Sequence, residues 1–186
     1  MNVFILGTGR CGSMTFERAC RHITNYTTAH ESRIGMLGAE RLAYPADHIE
    51  SDNRLSWFLG RLDRAYPRDV FYVHLQRERL AVAKSYARRL EPGLIMSAWA
   101  HGIHLGLPDD LRPRALEIAL DYVDTVTANI ERFLAGKPNS MPFHIENAKE
   151  DFQHFWTRIG AQGRFAEAQA EFDVAYNAGS QFSGEN

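Results

Sequence analysis

The chain has little cysteine, no excess of positive charge and no long apolar run, and each lack removes a class of protein. Two cysteines, Cys11 and Cys20, in 186 residues make no disulfide framework. Free thiols in a reducing compartment, and so a cytoplasmic location, are expected. A formal net charge of -2 is not the basic balance of a nucleic-acid partner. No apolar stretch approaches the ~18 residues of a membrane span. The first residues lack the basic and long apolar regions of a signal peptide. The 8 histidines are scattered. His101 and His104 lie near each other without further ligands at metal-binding spacing, so no metal is expected. Internal repeats, low-complexity runs and inter-domain linkers are also missing.

What is present is ordinary for a globular protein: 45% hydrophobic and 24% charged residues. The length suits one domain with its own core. A domain over 1–175 is expected, with an irregular Gly-, Ser- and Asn-rich tail over 176–186.

The most informative stretch is the first. Val3 to Leu6 is a short run of strand formers, and Gly7, Gly9 and Gly12 follow at once. From Ser13 to His22, Phe16, Ala19, Cys20 and then Ile23 recur with the spacing of an amphipathic helix. Strand, glycine-rich turn and helix together present free backbone N–H groups and the positive end of a helix dipole to the turn. Arg10 adds a fixed positive charge. The natural guest is a phosphate or sulfate.

Ile23 to Ala29 is rich in β-branched and aromatic residues and predicts a second, parallel strand ending at His30-Glu31-Ser32-Arg33. Glu31 and Arg33 then lie at a carboxyl strand end, where such sheets bind ligands. A short helix is expected over 36–43. Another should be capped by Ser51 or Asp52, with Leu55, Phe58, Leu59 and Leu62 inward and Pro67 at its end. Asp69 to Gln76 reads as a central strand buried on both faces. Arg77 follows it, and Ser85 lies in the next helix, Leu80 to Leu90. A guanidinium fork and a short hydroxyl donor make a second anion clamp. Pro92-Gly93 breaks the chain, 96–104 forms a short helix, and Pro108-Asp109-Asp110 turns. Pro113 opens the longest helix, which Gly136 closes. A strand over 141–145, a helix beginning at Asn147 and a last turn or two over 165–172 complete the pattern.

The loop satisfies more than one formal pattern. Gly7, Gly9 and Gly12 match the dinucleotide-binding Gly-x-Gly-x-x-Gly, with an acidic residue about twenty positions on. Against an NAD(P)-binding oxidoreductase stand Phe16, where that helix wants a small residue, and a chain short for two half-sheets plus a substrate domain. Gly7 and Gly12 also have nucleotide-triphosphatase spacing, but Ser13 stands where the lysine belongs and no Walker-B aspartate follows the apolar strand 70–76. A non-catalytic module binding a nucleotide or phosphorylated ligand is a further alternative.

One resemblance uses both clamps. Gly7-Thr8-Gly9-Arg10-Cys11-Gly12-Ser13-Met14-Thr15 is similar to the 5′-phosphosulfate loop of the P-loop sulfotransferases, in its Arg-type variant. Arg77 to Ser85 resembles their 3′-phosphate motif at the same spacing. His30 to Arg33 resembles the segment where the protein-tyrosine and related carbohydrate branches keep a catalytic glutamate. Cys11 and Met14 depart from the loop pattern. Of the basic, glycine-rich C-terminal loop only Tyr176-Asn177-Ala178-Gly179 offers a stand-in. The resemblance implies an α/β fold, a short parallel sheet flanked by helices in a P-loop-like three-layer sandwich. It also implies transfer of a sulfuryl group from 3′-phosphoadenosine 5′-phosphosulfate as co-substrate to a hydroxyl, or less often an amine, of a small-molecule or carbohydrate acceptor. Arg10 would steady the leaving phosphate with the N–H groups of Gly12 and Ser13. Thr15 or Ser13 would hold the 5′-phosphate, and Arg77 and Ser85 the 3′-phosphate. Glu31, kept charged by Arg33, would be the base, with His30 its rival. The acceptor would be chosen by loops at 34–60 and 91–112, with Trp57, Trp99, His101 and His104 as candidate lining.

Overall fold

The first strand, β1 (Asn2–Leu6), is buried at every position, as its apolar run requires of a strand covered on both faces. It pairs in parallel with β3 (His48–Ser51) on one side and β4 (Val70–Gln76) on the other. With β2 (Thr27–His30) and β5 (Ser140–His144) these form a parallel sheet in the order β2-β3-β1-β4-β5. The computed structural model describes residues 1–90, 94–107 and 110–174. The expected break at Pro92-Gly93, the turn at Pro108-Asp109 and the tail over 176–186 lie outside them.

Alternation along the strands builds two core layers. Phe4 and its register partner Tyr72 face one side, with Tyr44 and Tyr66 against Phe4 and Phe133 against Tyr72. Tyr66 ends α2 (Leu59–Ala65), and Phe133 belongs to α5 (Ala115–Leu134), which packs against α3 (Arg79–Ala87). Phe71 and Phe143 face the other side. They meet Phe155 of α6 (Ala148–Arg158) and Phe16 of α1 (Ser13–Cys20), whose rings are 5.1 Å apart. The result is a single-domain three-layer α/β sandwich. Short helices α4 (Leu94–Ser97) and α7 (Phe165–Ala170) complete it, and a wide-pitch turn, Ala98–Ile103, continues α4.

Four local expectations are corrected. The second strand begins at Thr27, not Ile23. Thr24 N–H donates to the Gln162 carbonyl and Ile23 bridges Gly163, so this stretch pairs with the loop after α6. The sequence also conceals β3, whose His-Ile-Glu-Ser carries one apolar residue yet is buried throughout. Its polar groups satisfy one another instead: His48 Nε2 lies 3.0 Å from Glu50 Oε2, and Ser51 Oγ donates to the Ser13 carbonyl. Finally, the stretch read as one helix after Ser51 is divided. Asp52 accepts from Arg54 N–H and caps a tight 3-10 turn over Asn53–Trp57, and α2 follows only after Phe58. Residues 38–42 likewise form a 3-10 turn.

Strand order locates the binding crevice. From β1 the chain crosses by α1 toward β2 and β3, and from β4 it crosses by α3 to α5 toward β5. The carboxyl ends of β1 and β4 therefore flank the point where the connections diverge, the usual ligand crevice of an open α/β sheet. Among the described residues no helix is long and apolar enough to cross a membrane.

Candidate functional site

The loop between β1 and α1 lies in that crevice and is held from several directions. Tyr86 of α3 and Tyr122 of α5 both donate hydroxyl protons to the Thr8 carbonyl, at 2.6 and 2.8 Å. Burial pushes both phenols above their ordinary value, so each is a neutral donor. Ser56 Oγ donates to the Gly7 carbonyl. Cys11 Sγ turns inward onto the Gly9 carbonyl and the Thr8 hydroxyl, and burial raises its thiol pKa. A Cβ on Gly9, whose φ is +82°, would meet the Tyr86 hydroxyl and lie 3.0 Å from Asn53 Nδ2. This glycine serves the packing of the loop against its own scaffold.

The other side of the loop is open. Gly12, at φ +92°, is the N-cap of α1 and supplies no side chain to cap it. The first helical bond is Phe16 N–H to the Gly12 carbonyl. No acidic residue occupies the first turn. Among the described residues the N–H groups of Gly9, Arg10, Cys11 and Gly12 have no acceptor. Arg10 and Glu31 both adopt positive φ, +61° and +52°, a strained backbone for residues other than glycine.

Arg10, Ser13, Met14, His30 and Glu31 line one cleft of about 330 Å³ with Asn53, Arg54, Tyr86, Arg89 and Leu94 to Met96. Ser13 Oγ is 3.1 Å from His30 Nε2, bringing the end of β2 onto the first turn of α1 although β3 intervenes in the sheet. Glu31 Oε1 is paired with Arg54 Nη1 at 2.6 Å. The cation beside Glu31 is thus Arg54, whereas Arg33 donates to the Glu40 carbonyl and stacks near Tyr44. A buried ion pair between Arg41 and Asp52 anchors the segment that carries Arg54. Desolvation raises the Asp52 carboxyl pKa against the opposing effect of Arg41.

The second clamp divides. Ser85 is buried and its Oγ accepts from Arg10 Nε at 3.2 Å, so it touches the first clamp directly. Arg77 is exposed and reaches the Arg10 carbonyl at 3.4 Å. It lines an adjoining cleft of about 210 Å³ between α3 and α5, bordered by Thr8 and Cys11. Thr15 lies buried within α1 and does not line the main cleft. Trp57 and Trp99 pack against each other. Trp99 and His104 bond Asp121 at a separate depression, so neither reaches the Arg10 cleft. Among the described residues no cluster of three or more His, Cys, Asp and Glu could hold a metal.

Sequence reasoning misses Asn53, Arg54, Arg89 and the Leu94–Met96 wall. Asn53 and Arg54 follow the unrecognised β3. For Arg89 the one available signal is its position four residues after Ser85 in the expected helix, which the structure ends at Ala87.

The strand order also differs from the 3-2-1-4-5-6 arrangement in which a dinucleotide's acidic ribose ligand ends the strand next to β1. Here β3 separates β2 from β1. Compared with known protein families and with characterised proteins, the chain matches no family model and no sequence.

Proposed function

We propose that this protein is a sulfotransferase that moves a sulfuryl group from 3′-phosphoadenosine 5′-phosphosulfate to an acceptor hydroxyl. The observation that carries the reading is a convergence in one cleft: Arg10, an uncapped helix N-terminus and a carboxylate at the end of β2. The donor set fits the nucleotide. Unpartnered loop N–H groups and a guanidinium suit an anion, and Ser85 beside Arg10 offers a neutral donor. The nucleotide supplies the activated sulfuryl group; the protein supplies placement, charge and a proton acceptor.

Arg10 and the N–H groups of Gly12 and Ser13 hold the anion and take up the charge released on the departing phosphate oxygen. Such preorganised donors are worth ~2.7–4 kcal/mol each in other enzymes. Glu31 uses Oε1 for Arg54, which leaves Oε2 for the acceptor's hydroxyl proton as that oxygen closes on sulfur. General-base help of this kind contributes about 10²–10⁴-fold. Ser13 fixes His30 beside Glu31, so His30 orients the acceptor's side of the cleft. Arg77 reaches the nucleotide from the adjoining cleft, where its own contact is the Arg10 carbonyl.

The test is transfer from radiolabelled donor to a panel of hydroxylated acceptors. Glu31→Gln should lower kcat about 10²-fold or more with donor affinity unchanged. Transfer at an undiminished rate removes Glu31 from the mechanism. Nucleotide binding without turnover on any acceptor favours a binding module.

A further inference from the structure

The main cleft holds a guanidinium, that of Arg89, to which the donor chemistry above gives no role. Among the described residues three guanidiniums line the cleft, Arg10, Arg54 and Arg89, against the one carboxylate Glu31. Arg54 is spent on Glu31. Arg10 rests on the neutral Ser85 hydroxyl at the mouth of the glycine loop. Arg89 is half-buried, and among the described residues no acceptor pairs with its guanidinium. A guanidinium left unpaired at the side of a cleft is a ready partner for a ligand anion.

The neighbours of Arg89 indicate which ligand. The wall beyond it is Leu94, Ile95 and Met96, and Met14 faces the cleft from α1. Phosphate and ribose gain nothing from such a surface, whereas an aliphatic or aromatic body does, whether the nucleotide's adenine or an acceptor's own. We infer that Arg89 determines acceptor specificity by binding a carboxylate or similar anion on a hydroxylated molecule with an apolar body. The apolar body lies on the Met14 and Leu94–Met96 surfaces, and the hydroxyl reaches Glu31. Only the hydroxyl chemistry of this inference rests on the sulfotransferase reading. A planar guanidinium matches a carboxylate with two parallel N–H donors.

Two probe pairs test it on the full chain: p-hydroxyphenylacetate against its amide, and ω-hydroxydodecanoate against its amide. Each is titrated by calorimetry, with and without saturating adenosine 3′,5′-bisphosphate. The carboxylate of at least one pair should bind about tenfold or more tightly than its amide. Arg89→Gln should bring that ratio close to one, Arg89→Lys should keep part of it, and both should leave the affinity for the bisphosphate unchanged. A ratio near one for both pairs in the unmodified protein overturns the inference, as does a ratio that survives Arg89→Gln. Weakened bisphosphate binding in Arg89→Gln also overturns it, because Arg89 then serves the nucleotide. Absence of bisphosphate binding in the unmodified protein defeats the sulfotransferase reading instead, and the titrations without nucleotide still report on Arg89.

Discussion

Tyr86→Phe and Tyr122→Phe, singly and together, probe how the glycine loop is held. Both hydroxyls donate to the carbonyl of Thr8, a buried residue of the loop itself. Each phenylalanine keeps the ring, and with it the edge-to-face contact between the two side chains at 5.2 Å. A single replacement removes one donor while the carbonyl keeps the other, and should cost about 1 kcal/mol. The double replacement strands a buried carbonyl. That desolvation penalty, roughly 1–3 kcal/mol, arises only when the last partner goes. The double variant should therefore be less stable than the sum of the singles predicts. Urea unfolding at equilibrium, with the unfolding slope compared across all four proteins, measures the coupling. The loop should also lose its shape, so the affinity for adenosine 3′,5′-bisphosphate should fall more in the double variant than in either single. Additive losses, or stability unchanged in the double variant, would refute the bracing argument.

Other consequences concern burial and backbone. Burial, with a smaller contribution from His144, depresses the pKa of His74 from 6.5 to about 4. Between those values the unfolded chain binds a proton that the folded chain refuses, so stability should drop by roughly 3 kcal/mol as pH falls through that window. Denaturant midpoints against pH should show this slope, and His74→Gln should flatten it; an equal slope in the variant contradicts the assignment. Burial raises the pKa of Cys11 and Cys20, leaving less thiolate at a given pH than in a free cysteine. Iodoacetamide at pH about 8 should label neither until the chain unfolds, and rapid labelling of the native protein would contradict the inward placement of Cys11. Gly9→Ala places a Cβ against the Tyr86 hydroxyl at positive φ, with an expected loss of ~1–3 kcal/mol. A variant of undiminished stability would deny the tight seat.

The parts legible in the sequence are those in which local pattern and final burial agree. The apolar run of β1, the glycines behind it and the helical stripe of α1 lie where their spacing puts them, and β4 is buried at its first six positions as a central strand requires. β3 is illegible for a physical reason. It buries histidine, glutamate and serine by pairing them with each other and with Ser32 and Ser13, and such satisfaction leaves no hydrophobic period to read. Its omission hides Arg54, the ion partner of Glu31, and the insertion that keeps β2 away from β1. The contact between Arg10 and Ser85 joins residues 75 positions apart, which no local pattern announces. Arg77 shows the converse: its position after β4 is legible from the sequence, but its contact with the Arg10 carbonyl and its place in the adjoining cleft are not.

The anion-holding role proposed for the loop is tested most directly by calorimetric titration of adenosine 3′,5′-bisphosphate, ATP and NAD(P) into the unmodified chain and into Arg10→Ala. The account predicts that the bisphosphate binds and the other nucleotides do not. It also predicts that Arg10→Ala weakens the bisphosphate by about tenfold or more, the loss expected for a charge-assisted hydrogen bond. Binding of NAD(P) alone, or bisphosphate affinity indifferent to Arg10→Ala, would contradict it.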